Sequence, residues 1–245
     1  MPRLFVPTAD LAGTEVTLVG EPHRYLTRVL RFSAGDRVDL FDGCGLEVLA
    51  TVLRAGSKGV TLQLGARSRA TPRFTPPVTL LQGLPRAERM DLVIQKATEL
   101  GAARVVPVRA LRSAMGQQAR AGRWEKISQE AARQCGRPDF LILSPPVTLA
   151  EAFAVLRPGT TRIVAWEEAP GARPLGQALA ATIPGGDTPG VDLLIGPEGG
   201  LTPQEVGLAT ETGFQVVTLG PRILRTETAA IAALSVIQNH LGALG

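Results

Sequence analysis

One local pattern occurs twice in the last third of the chain and constrains the fold more than any other feature. A mainly apolar run, at 191–195 and again at 216–219, is followed by a Gly-Pro pair and then by a helix start signal. Apolar strands that alternate with helices are typical of a parallel sheet with helices on both faces. Because ligands of such sheets bind beyond the carboxyl ends of the strands, the pattern predicts an α/β domain whose ligand site lies at the two Gly-Pro loops.

Each Gly-Pro loop leads into a predicted helix. At the first, Thr202 is the expected N-cap, Pro203 the first helical residue and Glu205 the partner that completes a capping box. At the second, Thr226 is the expected cap, and apolar residues then recur at the spacing of one helix face as far as Leu241.

The composition of the loops also favours a binding role. Glycine lets backbone N–H and C=O groups approach a ligand closely, and proline makes the loop rigid. Either loop alone could be an ordinary strand-to-helix turn. Two in tandem, with Glu198 beside the first and Arg225, Thr226 and Glu227 beside the second, favour a ligand site. The glycine fingerprint of dinucleotide-binding proteins is absent, which argues against a nicotinamide-dependent oxidoreductase.

The segments 193–205 and 219–228 resemble the two C-terminal motifs of the RsmE family, and the similarity extends over most of the chain. RsmE proteins are SPOUT-class methyltransferases that use S-adenosyl-L-methionine to methylate N3 of one uridine in 16S ribosomal RNA. The resemblance implies the same reaction on the 30S subunit or its RNA, with S-adenosyl-L-homocysteine as the product. It also implies that the two loops belong to a trefoil knot and that the C-terminal domain forms a homodimer.

The resemblance further implies which residues bind the methyl donor, most of them through backbone groups. The expected donor site comprises Gln82, Ile195, Gly196, Gly200, Leu219, Gly220, Ile223, Leu224, Arg225, Thr226 and Ala229. No metal is expected, because the only histidines, His23 and His240, are remote in sequence and belong to no cluster of metal ligands.

Transfer of a methyl group to uridine N3 requires an in-line approach and loss of the N3 proton. Three residues in or beside the loops are candidates for the catalytic step: Arg225, Glu227 and Glu198. An arginine would stabilise negative charge on the uracil, and a carboxylate would accept the proton. Each glutamate could instead be an acid that interacts with the dipole of the helix that follows it.

Two domains are predicted, with a proline-rich break between them at 72–77. In residues 1–72, alternating apolar residues indicate the short strands of a barrel or curled sheet, and the resemblance identifies a PUA-like RNA-binding domain. Residues 73–245 form the α/β domain. Its first elements are predicted as strands at 78–84, 103–108 and 163–166 and as helices at 88–100 and 121–135, where Cys135 is expected to be a core thiol.

A helix predicted at 22–31 carries several basic residues. Leu26, Val29 and Leu30 are expected to face the core, whereas three arginines spaced four and three apart share another face. The arginines could form a phosphate clamp or only a solvated polar face. Position 25 is often His in relatives and is tyrosine here, which could stack on a base. The expected RNA-binding residues are Arg3, Arg24, Tyr25, Arg28 and Arg31.

Composition narrows the class of protein. The chain is 44% apolar and 20% charged, and it lacks both a signal peptide and the apolar run of about 20 residues that a membrane span requires. With only two cysteines, it is expected to be a soluble cytoplasmic protein. Residues 1–160 hold 22 Lys and Arg against 14 Asp and Glu, whereas residues 161–245 hold 4 against 8. The basic excess therefore lies outside the Gly-Pro loops and favours an RNA partner.

Two alternatives remain open. The first is a SPOUT methyltransferase that acts on another RNA or another base. The second is a ribosome assembly factor that binds RNA and retains the fold without catalysis, in which case RNA binding would be indifferent to S-adenosylmethionine.

Overall fold

The computed structural model describes residues 1–69, 76–113, 121–169 and 171–244. The chain divides into two compact units: residues 1–72 with 132–140, and residues 73–131 with 141–245. The segment 132–140, which the sequence assigns to the second domain, therefore clusters with the first unit. Most of the predicted break at 72–77 lies outside the described residues.

The first unit is built on a five-stranded sheet. Its strands are β1 (Arg3–Phe5), β2 (Glu15–Leu18), β3 (Arg37–Phe41), β4 (Leu46–Ala55) and β5 (Val60–Arg69). They lie in the order β1-β3-β4-β5-β2, and only the β1–β3 pair is parallel. Two register shifts between β4 and β5 bend the sheet, and one face buries an aliphatic core that includes Val38, Leu40 and Leu62. The predicted curled sheet is thus confirmed.

The basic helix of this unit differs from the prediction. Helix α1 (Gly20–Arg24) continues as one π-helical turn (Tyr25–Val29) and then ends. Leu26 is buried as expected, but Val29 is 66% exposed, so its predicted place in the core is wrong. A π-helical turn is wider than an α-helical one and shifts each following side chain around the axis. Arg31 lies beyond the helix with a φ of 56°, and the three arginines therefore do not share one helical face.

The second unit is built on a parallel sheet. Its strands are β6 (Val78–Gly83), β7 (Arg104–Arg109), β8 (Ile142–Leu143), β9 (Val147–Thr148), β10 (Thr161–Ala165), β11 (Arg173–Pro174), β12 (Val191–Ile195) and β13 (Gln215–Thr218). They lie in the order β11-β13-β10-β12-β6-β7-β8, and β9 pairs with β7. Its helices are α2 (Ala87–Glu99), α3 (Ala121–Cys135), α4 (Leu149–Ala154), α5 (Leu175–Thr182), α6 (Pro203–Glu211) and α7 (Thr226–His240).

Helices cover both faces of this sheet, as the apolar strands predict. Strand β12 is buried along its whole length. Its residues Leu193 and Ile195 belong to the core formed with α2, α5 and α7, whereas Leu194 belongs to the core formed with α4 and α6. The strand therefore needs apolar side chains on both sides, which is why it reads as a run rather than as an alternation. No helix in the described part of the chain is long and apolar enough to cross a bilayer.

The segment 132–140 packs on the edge of the curled sheet through aromatic and polar contacts. The ring of Phe140 lies 5.0 Å from that of Phe5 and 5.7 Å from that of Phe41. A Cβ on Gly43 would come within 2.3 Å of the Phe140 ring, so only glycine fits there. Cys135, expected to be a core thiol, is instead exposed at the last residue of α3, where the helix ends.

Candidate functional site

The first Gly-Pro loop joins the end of β12 to α6. Thr202 is the N-cap of α6, with Pro203 in the first turn. Its hydroxyl accepts a hydrogen bond from the N–H of Glu205 at 3.2 Å, and the Glu205 carboxylate accepts one from the N–H of Thr202 at 2.8 Å. The predicted capping box is confirmed, and it fixes the direction in which the chain leaves this loop.

The second Gly-Pro loop joins β13 to α7, and its helix start differs from the prediction. The N-cap is Arg225, whose side chain caps nothing, and Thr226 is the first helical residue. The Thr226 hydroxyl instead donates to the carbonyl of Gly196 at 2.6 Å. The expected capping role of Thr226 is therefore wrong, because its hydroxyl has a partner in the first loop and joins the two loops directly.

Gln82, the penultimate residue of β6, completes this junction. Its side chain is fully buried, and Nε2 donates to Thr226 Oγ1 at 2.9 Å and to the carbonyl of Gly83 at 3.0 Å. Its Oε1 is buried and has no hydrogen-bond partner among the described residues. Gln82, Gly196 and Thr226 thus form a connected group at the carboxyl edge of the sheet.

Glycine is required at several points around this group. A Cβ on Gly83 would lie 2.5 Å from the nitrogen of Pro197, so the first loop can pack on the end of β6 only if position 83 is glycine. Gly200 has a φ of +71°, and a Cβ there would lie 2.6 Å from Oε1 of Glu167. Gly220 has a φ of +111° and faces open space. Backbone groups rather than side chains therefore form the walls of both loops.

The remaining residues of the predicted donor site lie in the same two loops or in the first turn of α7. Ile195 is buried at the end of β12, Leu219, Leu224 and Ala229 are half-buried, and Ile223 is 85% exposed. Arg225 is exposed. The structure brings all of these residues to one edge of the sheet.

An ion-pair group lies beside the first loop. Oε1 of Glu198 accepts a hydrogen bond from the N–H of Arg86 at 2.9 Å and lies 3.4 Å from Nη1 of Arg89. Nε of Arg89 lies 3.9 Å from Oε1 of Glu227. Both candidate carboxylates therefore face one guanidinium. Oε2 of Glu227 is buried and has no hydrogen-bond partner within the described residues.

Arg89 is not among the site residues expected from the sequence. It lies in the first turn of α2, the helix that follows β6, and the pairing of β6 with β12 brings it to the same edge as Glu198. That pairing is a property of the fold and gives no local signal in the sequence.

A pocket of about 310 Å³ opens next to this group and is lined by Arg86, Arg89, Arg112 and Glu198. Nη1 of Arg112 donates to the carbonyl of Gly199 at 3.0 Å. A Cβ on Gly199 would lie 2.8 Å from the Cβ of Arg112, so the absence of a side chain lets the loop and this arginine approach each other.

The predicted RNA-binding residues lie in the first unit and have different surroundings. Arg24, Arg28 and Arg31 are exposed. Arg3 is engaged inside the unit: its Nη2 pairs with Glu47 at 2.6 Å and its guanidinium lies 5.0 Å from the centre of the Phe41 ring.

Tyr25 is half-buried, with the guanidinium of Arg133 5.2 Å from its ring centre and Nη1 of Arg133 donating to its hydroxyl at 3.0 Å. Contacts within the unit thus occupy Arg3 and one face of Tyr25. Among the described residues, no group of three His, Cys, Asp or Glu side chains could hold a metal ion.

Comparisons with known proteins agree with this architecture. Residues 73–238 match the RNA methyltransferase domain family, and residues 24–65 match the RNA methyltransferase PUA domain family. The chain is 31% identical to Ribosomal RNA small subunit methyltransferase E of Mycobacterium bovis, over 95% of this chain and 89% of the relative. It is 30% identical to the protein of the same name from Bacillus subtilis, over 94% of this chain and 90% of the relative.

A solved structure extends the comparison to three dimensions. It is the crystal structure of a Ribosomal RNA small subunit methyltransferase E from Neisseria gonorrhoeae, bound to S-adenosyl methionine. That structure superposes on this chain with a TM-score of 0.85 at 31% sequence identity, and the match covers 98% of this chain and 97% of the other. Both the domain match and the full-length identities show that this chain belongs to the ribosomal RNA small subunit methyltransferase E family.

Proposed function

We propose that this protein transfers the methyl group of S-adenosyl-L-methionine to N3 of one uridine in the 16S ribosomal RNA of the small subunit. The observation that carries the proposal is the junction of Gln82, Gly196 and Thr226, which joins two glycine-rich loops at the carboxyl edge of a parallel sheet. The full-length relatives named Ribosomal RNA small subunit methyltransferase E support the substrate, and the donor-bound relative supports the methyl donor.

The residues at this edge fit S-adenosyl-L-methionine. Two buried acceptor oxygens, Oε1 of Gln82 and Oε2 of Glu227, have no donor among the described residues. The ligand carries N–H and O–H donors on its adenine, ribose and amino-acid parts and has a positive sulfonium. When bound, it supplies a methyl group that is already activated, and S-adenosyl-L-homocysteine is the product. The residues that would hold it are Gln82, Ile195, Gly196, Gly200, Leu219, Gly220, Ile223, Leu224, Arg225, Thr226 and Ala229.

The chemistry left to this chain is to orient the uridine and to remove its N3 proton. Glu198 is the proposed proton acceptor, because it lines the pocket beside the first loop and its Oε1 is held by the N–H of Arg86 and by Arg89. Glu227, the second carboxylate candidate, is proposed to act indirectly, by positioning Arg89, with which it pairs. Arg225, exposed at the start of α7, is proposed to stabilise negative charge on the substrate. Holding both reactants in line supplies most of the acceleration.

Residues 1–72 are proposed to be the RNA-binding domain and residues 73–245 the methyltransferase domain. The exposed guanidinium groups of Arg24, Arg28 and Arg31 are proposed to contact phosphates, with Tyr25 and Arg3 supporting that surface from within. A ribosomal substrate would place the protein in the cytoplasm.

A homodimer through the C-terminal domain and a trefoil knot around the donor remain part of the proposal. Both rest on the resemblance to the RsmE family. The mass of the protein in solution, measured by light scattering, tests the dimer, and a monomeric mass would contradict it.

Methyl transfer tests the function itself. The protein and radiolabelled S-adenosyl-L-methionine are incubated with unmodified 30S subunits and, in parallel, with naked 16S RNA, and the labelled nucleoside is identified after digestion. Label in 3-methyluridine is expected. Label in another nucleoside would refute the base, and absence of donor binding would favour an assembly factor without catalysis.

A further inference from the structure

The pocket of about 310 Å³ beside the first loop has no role in the proposed donor site. It is lined by three arginines, Arg86, Arg89 and Arg112, and by one carboxylate, Glu198. The arginines outnumber the carboxylate, so the lining is positively charged. Pockets for small ligands begin at about 300 Å³, a volume that suits one nucleotide. The charge and the size together indicate an anionic ligand of nucleotide size.

Two carboxylates pair with Arg89 beside this pocket. Glu198, in the first Gly-Pro loop, lies 3.4 Å from its Nη1, and Glu227, in α7, lies 3.9 Å from its Nε. The two carboxylates come from different elements, so together they restrict rotation of the planar guanidinium. The Arg89 side chain is 33% exposed and therefore reachable.

Arg86 and Arg112 are the more exposed members of the lining. Arg112 is tied to the first loop through the carbonyl of Gly199, and Arg86 stands at the start of α2, where its own N–H binds Glu198. Neither guanidinium pairs with a carboxylate among the described residues. Guanidinium groups bind phosphate oxygens in a bidentate manner.

We propose that this pocket receives the acceptor nucleotide, a uridine extruded from the RNA. Arg89 donates a hydrogen bond to a carbonyl oxygen of the uracil, and Arg86 and Arg112 bind the adjoining phosphates. The assignment rests on the proposed function. This role for Arg89 explains why two carboxylates pair with one arginine next to the donor loops. The uridine must leave the RNA helix to enter the pocket, because its N3 is otherwise engaged in base pairing.

Methyl transfer in this arrangement begins with loss of the N3 proton. The N3–H bond breaks, its proton passes to the carboxylate of Glu198, and the electron pair left on N3 is delocalised onto the carbonyl oxygens of the uracil. Arg89 stabilises that charge from a preset position. The N3 pair then forms the bond to the methyl carbon while the sulfur–carbon bond of the donor breaks, and its electron pair stays on sulfur as a neutral thioether.

Arg89→Gln tests the assignment in single-turnover methyl transfer to 30S subunits with saturating donor. Loss of one preorganised donor lowers kcat by about 100-fold or more, and the rise of the rate with pH should move to higher pH, because the N3 anion is no longer stabilised. Arg89→Lys keeps the charge and should recover part of the rate. Donor affinity measured by calorimetry should stay at the wild-type value.

Arg123→Gln is the matched control. It makes the same chemical change on an arginine that pairs with Asp91 of α2 at 2.6 Å and does not line the pocket. Its rate and pH profile should equal those of the wild type. If Arg89→Gln does not fold, as judged by its thermal unfolding, Arg89→Lys carries the test, with a reduced rate and a shifted pH profile expected.

The outcomes separate the two proposals. A wild-type rate and pH profile in Arg89→Gln would overturn the acceptor pocket and leave the function intact. A lower rate without a shift in the pH profile would also overturn it, since a merely structural arginine predicts that result. Failure of the wild-type protein to form 3-methyluridine would refute the function, and the acceptor pocket would fall with it.

Discussion

Replacing Thr226 by valine would remove one hydroxyl group from the junction between the two Gly-Pro loops while nearly preserving the shape of the side chain. The carbonyl of Gly196 would lose its donor at 2.6 Å, and Nε2 of Gln82 would lose its acceptor at 2.9 Å. Gln82 would keep its bond to the carbonyl of Gly83 and its long contact, 3.5 Å, with the carbonyl of Gly196. Two hydrogen bonds would be lost, each worth about 0.5–1.5 kcal/mol net, so we expect the free energy of unfolding to fall by about 1–3 kcal/mol.

The same substitution should weaken binding of the methyl donor. We expect the donor to bind only when the two loops are joined, so the free energy lost at the junction is also lost from donor binding. A loss of about 1–3 kcal/mol corresponds to an affinity that is roughly 5- to 150-fold weaker. Isothermal titration calorimetry with S-adenosyl-L-methionine measures the affinity, and thermal unfolding measures the stability.

Two further variants control for side effects. Thr226→Ser retains the hydroxyl and should bind the donor as the wild type does. Thr228→Val makes the same chemical change at an exposed position in the same turn of α7 and should alter neither measurement. A destabilised Thr226→Val protein that still binds the donor with wild-type affinity would refute the reasoning, because the junction would then serve folding alone.

Three other perturbations have definite expected results. Gly220→Val should abolish donor binding in calorimetry. A β-branched residue is strained at a φ of +111°, and its side chain would fill the open space beside the loop backbone. Undiminished affinity would contradict the donor site. Arg28→Ala with Arg31→Ala should weaken RNA binding and lower its salt dependence by about one unit of slope for each phosphate that is no longer bound; an unchanged slope would show that these arginines only face solvent. Burial raises the pKa of Asp192 above its ordinary value of 3.8, against the opposing effect of hydrogen bonds from Thr160 and Thr79. The folded state therefore holds this proton to higher pH than the unfolded state, so the contribution of Asp192 to stability falls as pH rises from 3.8 through the folded pKa. Asp192→Asn should lose that decline in thermal unfolding over a pH series, and identical pH dependence in both proteins would contradict it.

The fold could be read from the sequence wherever local patterns and burial agree. The strand at 191–195 is apolar except for the buried Asp192, because both of its faces are covered. The capping box of Thr202 and Glu205 depends on residues only three apart. The hydrogen-bond partner of Thr226 cannot be predicted locally, because Gly196 is 30 residues away in the chain. The π-helical turn at Tyr25–Val29 leaves no signal in the sequence either, because apolar and basic residues at α-helical spacing do not reveal an inserted residue.

The sequence indicates the two loops of the proposed site but not the charged group beside them. Glycine and proline mark a loop regardless of its neighbours, whereas the importance of Arg89 depends on two carboxylates that are 109 and 138 positions further along the chain. Likewise, the attachment of 132–140 to the first unit depends on rings of Phe5, Phe41 and Phe140 that are remote in sequence.

The order of strands explains how residues so far apart meet at the donor loops. Strand β6 pairs directly with β12, so Gln82 and Gly196 are neighbours at the carboxyl edge of the sheet. Strand β13 is not their neighbour, because β10 lies between β13 and β12. Thr226 nevertheless bonds to both Gly196 and Gln82, so the second loop must cross the end of β10 before α7 begins. The hydroxyl of Thr226 therefore anchors the end of a crossing connection, and the proposed donor site lies where that connection returns to β12 and β6.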